Sequence, residues 1–190
     1  MGINLSKGGR IDLSKEAPSL KKVALGLGWD TNDTDTGTEF DLDVSLFMLN
    51  GNGKIPQDNY FIFYNNLKSP DNSVEHQGDN RTGEGEGDDE SIFVELDKID
   101  NSIEELVIVV TIDEAEARNQ NFGQVENSFV RLYDVDTNQE IAIYELDEDF
   151  STEIAVEFGR LYKKNGSWRF KAVGAGFNDG LQGFVNKFIG

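Results

Sequence analysis

The chain contains no cysteine at all, a single histidine (His76) and only three prolines among 190 residues. The missing cysteines exclude a disulfide framework, a thiolate nucleophile and a cysteine-ligated zinc or iron–sulfur site. One histidine, set in a glycine- and acid-rich stretch, excludes a credible Ser/His/Asp arrangement. No apolar run reaches the ~18–20 residues of a membrane span, and the N-terminal MGINLSKGGRIDLSKEA has no apolar signal-peptide core. A cytoplasmic location is therefore expected. Cations are scarce as well: 17 Lys and Arg stand against 36 Asp and Glu, a net charge of −19. Such a chain repels nucleic acid and anionic membrane surfaces and suits cations or basic protein surfaces.

What remains is a β-rich chain long enough to bury a core as one domain, residues 1–190. Apolar residues recur at period two or in short β-branched bursts, separated by Gly, Asn and Asp clusters. Strands are expected over Lys21–Trp29, Phe40–Leu49, Tyr60–Tyr64, Ser91–Leu96, Ile103–Ile112, Ser128–Val135, Glu140–Leu146, Ile154–Lys163 and Trp168–Val173. Asn165-Gly166 marks a hairpin. Asp113–Gln120 reads as a short helix with Asp113 as its N-cap, and Leu181–Phe188 as a second. Many short strands with closely spaced turns predict an antiparallel two-sheet β-sandwich with a few short helices and a long acidic metal-binding loop.

That loop is the chemical feature. From Asp71 to Glu90 it carries Asp71, Glu75, Asp79, Glu84, Glu86, Asp88, Asp89 and Glu90 against one cation, Arg81. Oxygen donors on flexible backbone suit calcium, which takes 6–8 oxygens at ~2.3–2.6 Å without strict geometry. Asp41 and Asp43, two residues apart on a strand, project from one face, and Asn65 and Asn66 end the next strand. The competing reading is a solvated acidic surface tract. Magnesium is a weaker rival because it keeps more water. The EF-hand pattern fails, since Arg81, Gly83 and Glu84 occupy its third, fifth and sixth positions. His76 reads as an exposed loop residue, Gly174-Ala175-Gly176 as a turn closing a strand, and Trp29, Trp168 and the phenylalanines as core.

The blocks GLGWD (Gly26–Asp30), FDLDVSLFML (Phe40–Leu49), YNN (Tyr64–Asn66), HQGDNRTGEGEGDDE (His76–Glu90) and GSWRFKAVGAGFNDGL (Gly166–Leu181) resemble the signature blocks of the TerD family. These are bacterial tellurite-resistance and general stress-response proteins, and the resemblance runs in order from Leu5 to Phe188. It implies a cytoplasmic calcium-binding sandwich holding about two Ca2+ ions near the acidic loop. Matched residue by residue, it makes Asp41, Asp43, Asn65, Asn66, Asp79, Asn80, Asp88, Asp89 and Glu90 the metal-site residues. Carbonyls of Gly83 or Gly85 join them, and Asp30 serves as ligand or as support. Glu86 stands where the family often has Asp. The function expected is a non-enzymatic, calcium-responsive interaction module working with other stress-response proteins. A calcium-dependent membrane-surface binder is the alternative. An enzyme acting on tellurite is disfavoured, because reduction needs electrons and no redox group is evident.

Overall fold

The computed structural model describes residues 2–30, 40–78, 88–146 and 150–190; Asp79, Asn80, Gly83 and Gly85 lie outside them. In chain order the elements are β1 (Ile3–Leu5), β2 (Arg10–Asp12), α1 (Leu13–Glu16), β3 (Lys22–Gly28), β4 (Leu42–Asn50), β5 (Phe61–Ile62), β6 (Val74–His76) and β7 (Glu90–Glu95). They continue with β8 (Ile103–Ile112), α2 (Ala115–Arg118), β9 (Phe129–Asp134), β10 (Glu140–Glu145), β11 (Ala155–Lys164), β12 (Ser167–Phe177) and α3 (Gly180–Phe188). Among the described residues no helix is long and apolar enough to cross a membrane.

The strands form two six-stranded sheets, ordered β1-β10-β9-β3-β7-β6 and β2-β12-β11-β8-β4-β5. All pairings are antiparallel except β1 with β10, which runs parallel at one sheet's edge. Period two does the sorting. Val23, Leu25 and Leu27 of β3 meet Leu42, Val44 and Leu46 of β4 in the core between the sheets. Within Ile103–Ile112 the stretch Leu106–Val110 is apolar throughout because both faces of β8 are covered there. Leu106, Ile108 and Val110 enter the main core, while Val107 and Val109 meet α3 through Phe184 and Phe188 on the outer side. Each such side chain, fully buried, is worth about 1.5–3 kcal/mol.

Asn165 and Gly166 both take positive φ (54° and 78°), the pattern of a two-residue I′ hairpin joining β11 to β12. Three local expectations need correction. The strand expected over Tyr60–Tyr64 shrinks to β5, because Phe63 and Asn66 exchange backbone hydrogen bonds and fold the chain back at Tyr64-Asn65. Gly174, Ala175 and Gly176 lie inside β12 rather than in a turn, Gly174 taking φ 62° where the β11–β12 register shifts. Asp113 does not cap α2. Its N–H donates to the carbonyl of Asp41 (2.8 Å), extending the β4–β8 ladder, and Glu114 stands at the N-cap without a side-chain hydrogen bond.

Candidate functional site

The antiparallel register places the end of β3 beside the start of β7, and the hydrogen bond between Glu90 and Val44 brings the start of β4 to the same end of the sandwich. Asp30 and Phe40, and likewise Gly78 and Asp88, are the described residues that bracket positions 31–39 and 79–87 in the sequence. At that end Phe40, Leu42 and Val44 face the core, so alternation turns Asp41 and Asp43 together to the opposite face. They are 5% and 8% exposed. Carboxylates so far from water cost several kcal/mol each unless hydrogen bonds or a cation compensate them.

Glu90, 2% exposed, opens β7 and points inward with Ile92 and Val94. Among the described residues β5 pairs with β4 at Leu46 and Phe47, short of the start of β4. Beyond that pairing, Glu90 Oε2 accepts the Val44 N–H at 2.8 Å. The carboxylate thus ties one sheet to the other, one residue away from Asp43. His76 Nε2 lies 3.8 Å from the same oxygen, both side chains shut from solvent. Its Nδ1 accepts the Gly78 N–H (3.1 Å), which assigns the neutral ring's proton to Nε2, facing Glu90. His76 is therefore not the exposed loop residue expected; it sits on β6, 3% exposed.

Asp88 and Asp89 go separate ways. Asp88 lies on the outer face of its sheet, receiving Arg131 Nε at 2.6 Å and Nη2 at 3.0 Å on its two oxygens. A Cβ on Gly26 would stand 2.2–2.6 Å from that carboxyl group, so the glycine in mid-strand makes room for the pair. Asp89 continues the β3–β7 ladder, its N–H donating to the Leu27 carbonyl and its Oδ2 accepting the Trp29 N–H at 3.0 Å. Burial pushes the Asp89 carboxyl above the usual aspartate range; the Trp29 hydrogen bond opposes this, and the charges of Asp88 and Asp30 add to it. A cation beside Asp89 would reverse that balance. Asp30 accepts a short hydrogen bond from Asn127 Nδ2.

Asn65 is exposed at its turn, and the side-chain NH2 of Asn66 donates to the carbonyls of Asn59 (3.2 Å) and Phe61 (2.6 Å), holding that turn. Two acids of the sequence tract fall elsewhere. Glu75 is exposed and meets Lys68 at 3.9 Å. Asp71 accepts from Ser69 Oγ, Ser73 N and Oγ, and Asp100 N. Burial alone would raise the Asp71 carboxyl, but these bonds outweigh it and hold it below the ordinary aspartate value. A lowered folded value means stability present above the unfolded pKa and lost as pH falls through the folded one. Asp71→Asn is expected to cost about 1–3 kcal/mol at pH 7, with a shallower acid limb below about pH 4 in chemical denaturation.

Among the described residues, no three of His, Asp and Glu come together as a ready-made metal site. The donors brought to this end, Asp41, Asp43, Asp89 and Glu90, are all hard oxygens, a set suited to calcium and unsuited to zinc or copper. Arg131 and the spacing role of Gly26 escaped sequence reasoning. A glycine inside a strand, which marks a close approach, was the available signal.

A two-sheet sandwich gathering buried carboxylates at one end is the class of molecule the geometry defines. The chain belongs to the TerD domain family, whose pattern matches residues 1–188, a family of tellurium resistance and stress-response proteins. It is 56% identical over 181 residues to the tellurium resistance protein TerD of an Alcaligenes species, covering 95% of this chain and 94% of that one. It is 52% identical over 181 residues to general stress protein 16U of Bacillus subtilis, with the same coverage. A solved homologue of the telluride resistance protein from Streptomyces coelicolor has the same fold, with a TM-score of 0.69 at 22% identity, over 88% of this chain and 96% of the other.

Proposed function

We propose that this protein is a non-enzymatic, calcium-responsive interaction module of the cytoplasmic stress response, contributing to tellurium resistance. Asp41, Asp43, Asp89 and Glu90 would hold about two calcium ions, with Asp79, Asn80 and the carbonyls of Gly83 or Gly85 among the further oxygen donors. One observation carries the reading. In a chain of net charge −19, Asp41, Asp43 and Glu90 are almost wholly buried at the end where β4 and β7 begin. A solvated surface tract would leave its carboxylates in water. Calcium would supply the positive charge that offsets their burial, and the chain's own part is to bring these carboxylates to one end of the sandwich.

Partners would be other stress-response proteins. Tyr64 and Leu67, 44% and 45% exposed, flank the Asn65-Asn66 turn and offer apolar contact beside the site. The same pair favours, as a second reading, calcium-dependent docking on a membrane surface. Liposome sedimentation with and without calcium separates the two.

Calcium at a hundred times its dissociation constant is expected to stabilise the fold by about 2.7 kcal/mol. For a domain of this size that raises the melting temperature by roughly 5–10 °C, with about two ions seen in calorimetric titration and weaker heats from magnesium. Identical melting in calcium and in chelator would end the reading.

A further inference from the structure

The outer face of the second sheet is divided. Over β5, β4 and β8 it is apolar and covered by α3. Over β11, β12 and β2 it carries instead a recess of about 360 Å³, its lining including Arg10, Arg160, Lys164, Lys171 and Tyr162. Four of the chain's 17 cations meet in this one place.

Their arrangement is costly. Arg10 lies directly opposite Lys171, and Lys171 directly opposite Arg160, so three cations stand side by side across three strands. Like charges in opposed positions destabilise a sheet. Both carboxylates of the recess are spent on one of the three: Arg160 donates to both oxygens of Glu157 and, through Nη1, to Glu105 at 2.9 Å. The next row shows the ordinary solution, Arg169 paired with Asp12 at 3.0 Å. Arg10, Lys164 and Lys171 have no such carboxylate among the described residues.

We propose that this recess is a binding site for a small, multiply charged oxyanion of the phosphate class. Arg10 supplies a planar fork, Lys171 and Lys164 supply point charges, and Tyr162 offers a hydroxyl. The volume lies within the range of small-ligand sites. The chain's overall negative charge does not forbid it: at physiological salt the Debye length is ~8 Å, so the surrounding cations set the local field. The site shares no residue with the carboxylate end and stands or falls independently of calcium.

Amide NMR titration with inorganic phosphate, at constant ionic strength and without added calcium, tests the proposal. Saturable shifts confined to β2, β12 and the adjoining part of β11 are expected, with affinity at least tenfold weaker in Arg10→Gln/Lys171→Gln. Lys171→Gln alone should melt no lower than the parent, since it relieves repulsion, and should already weaken phosphate binding. Non-saturating shifts, or equal affinity in the double variant, would overturn the site. A parallel arm uses phosphatidylglycerol vesicles: capture through Arg10 and Lys171 without a saturable response to free phosphate would replace the small ligand by a lipid surface and overturn the proposal as stated.

Discussion

Changing Asp41 and Asp43 together to asparagine is expected to weaken calcium binding by well over tenfold, which corresponds to at least ~1.4 kcal/mol. The two side chains share a face and are 5% and 8% exposed, so their charges are held where only a compensating cation or hydrogen bond makes them tolerable. Asparagine keeps the size and one oxygen of each but removes the charge a hard cation needs. The strand should survive, because its core contacts come from Phe40, Leu42 and Val44 on the other face. Calorimetric titration reads the affinity and circular dichroism the fold. Parental affinity in the double variant would show that Asp41 and Asp43 have no part in the site.

The second large effect belongs to Arg131. Its guanidinium holds both oxygens of Asp88, whose side chain is only 6% exposed. Truncating one partner of such a pair strands the other's charge, and Arg131→Ala is expected to cost about 3 kcal/mol. Asp88→Ala in the same chain should recover part of that, with a coupling of about 1–3 kcal/mol. Urea denaturation of the two single variants and the double variant gives the cycle. Additive losses would mean that the pair contributes nothing of its own. Gly26→Ala should act through the same pair, since the new methyl occupies the carboxylate's place.

These sites differ in how far the sequence discloses them. That Asp41 and Asp43 share a face follows from period two alone. The place of β8 follows equally from the apolar run Leu106–Val110, and the β11–β12 turn from Asn-Gly. The Asp88–Arg131 pair depends on β3 lying between β7 and β9, a long-range choice no local pattern states. β1, β2 and β6 are three residues each, too short to show a period, so His76 looked like loop when pairing with β7 had buried it. Asp71 looked like part of an acidic tract. Its role depends on Ser69, Ser73 and Asp100 converging on it, the last from 29 residues away in the chain.

The sheet order described above also bears on how the chain comes to be folded. Each sheet takes strands from both ends of the sequence: β1 pairs with β10, and among the described residues β2 pairs only with β12, Asp12 lying opposite Arg169. A nascent chain emerging at roughly 5–20 residues per second therefore holds β2 without a partner until nearly all of it has been made. Closing so long a loop is entropically expensive, and non-local pairing slows folding. The core strands β3 and β4 must wait as well, since β9 and β8, which flank them, come later in the chain. Early in synthesis the apolar faces of both strands are unsealed, and the acidic stretch from Asp79 to Glu90 emerges before their partners β8 and β9 do. Its density of like charge gives the incomplete chain a solubilising segment during that interval.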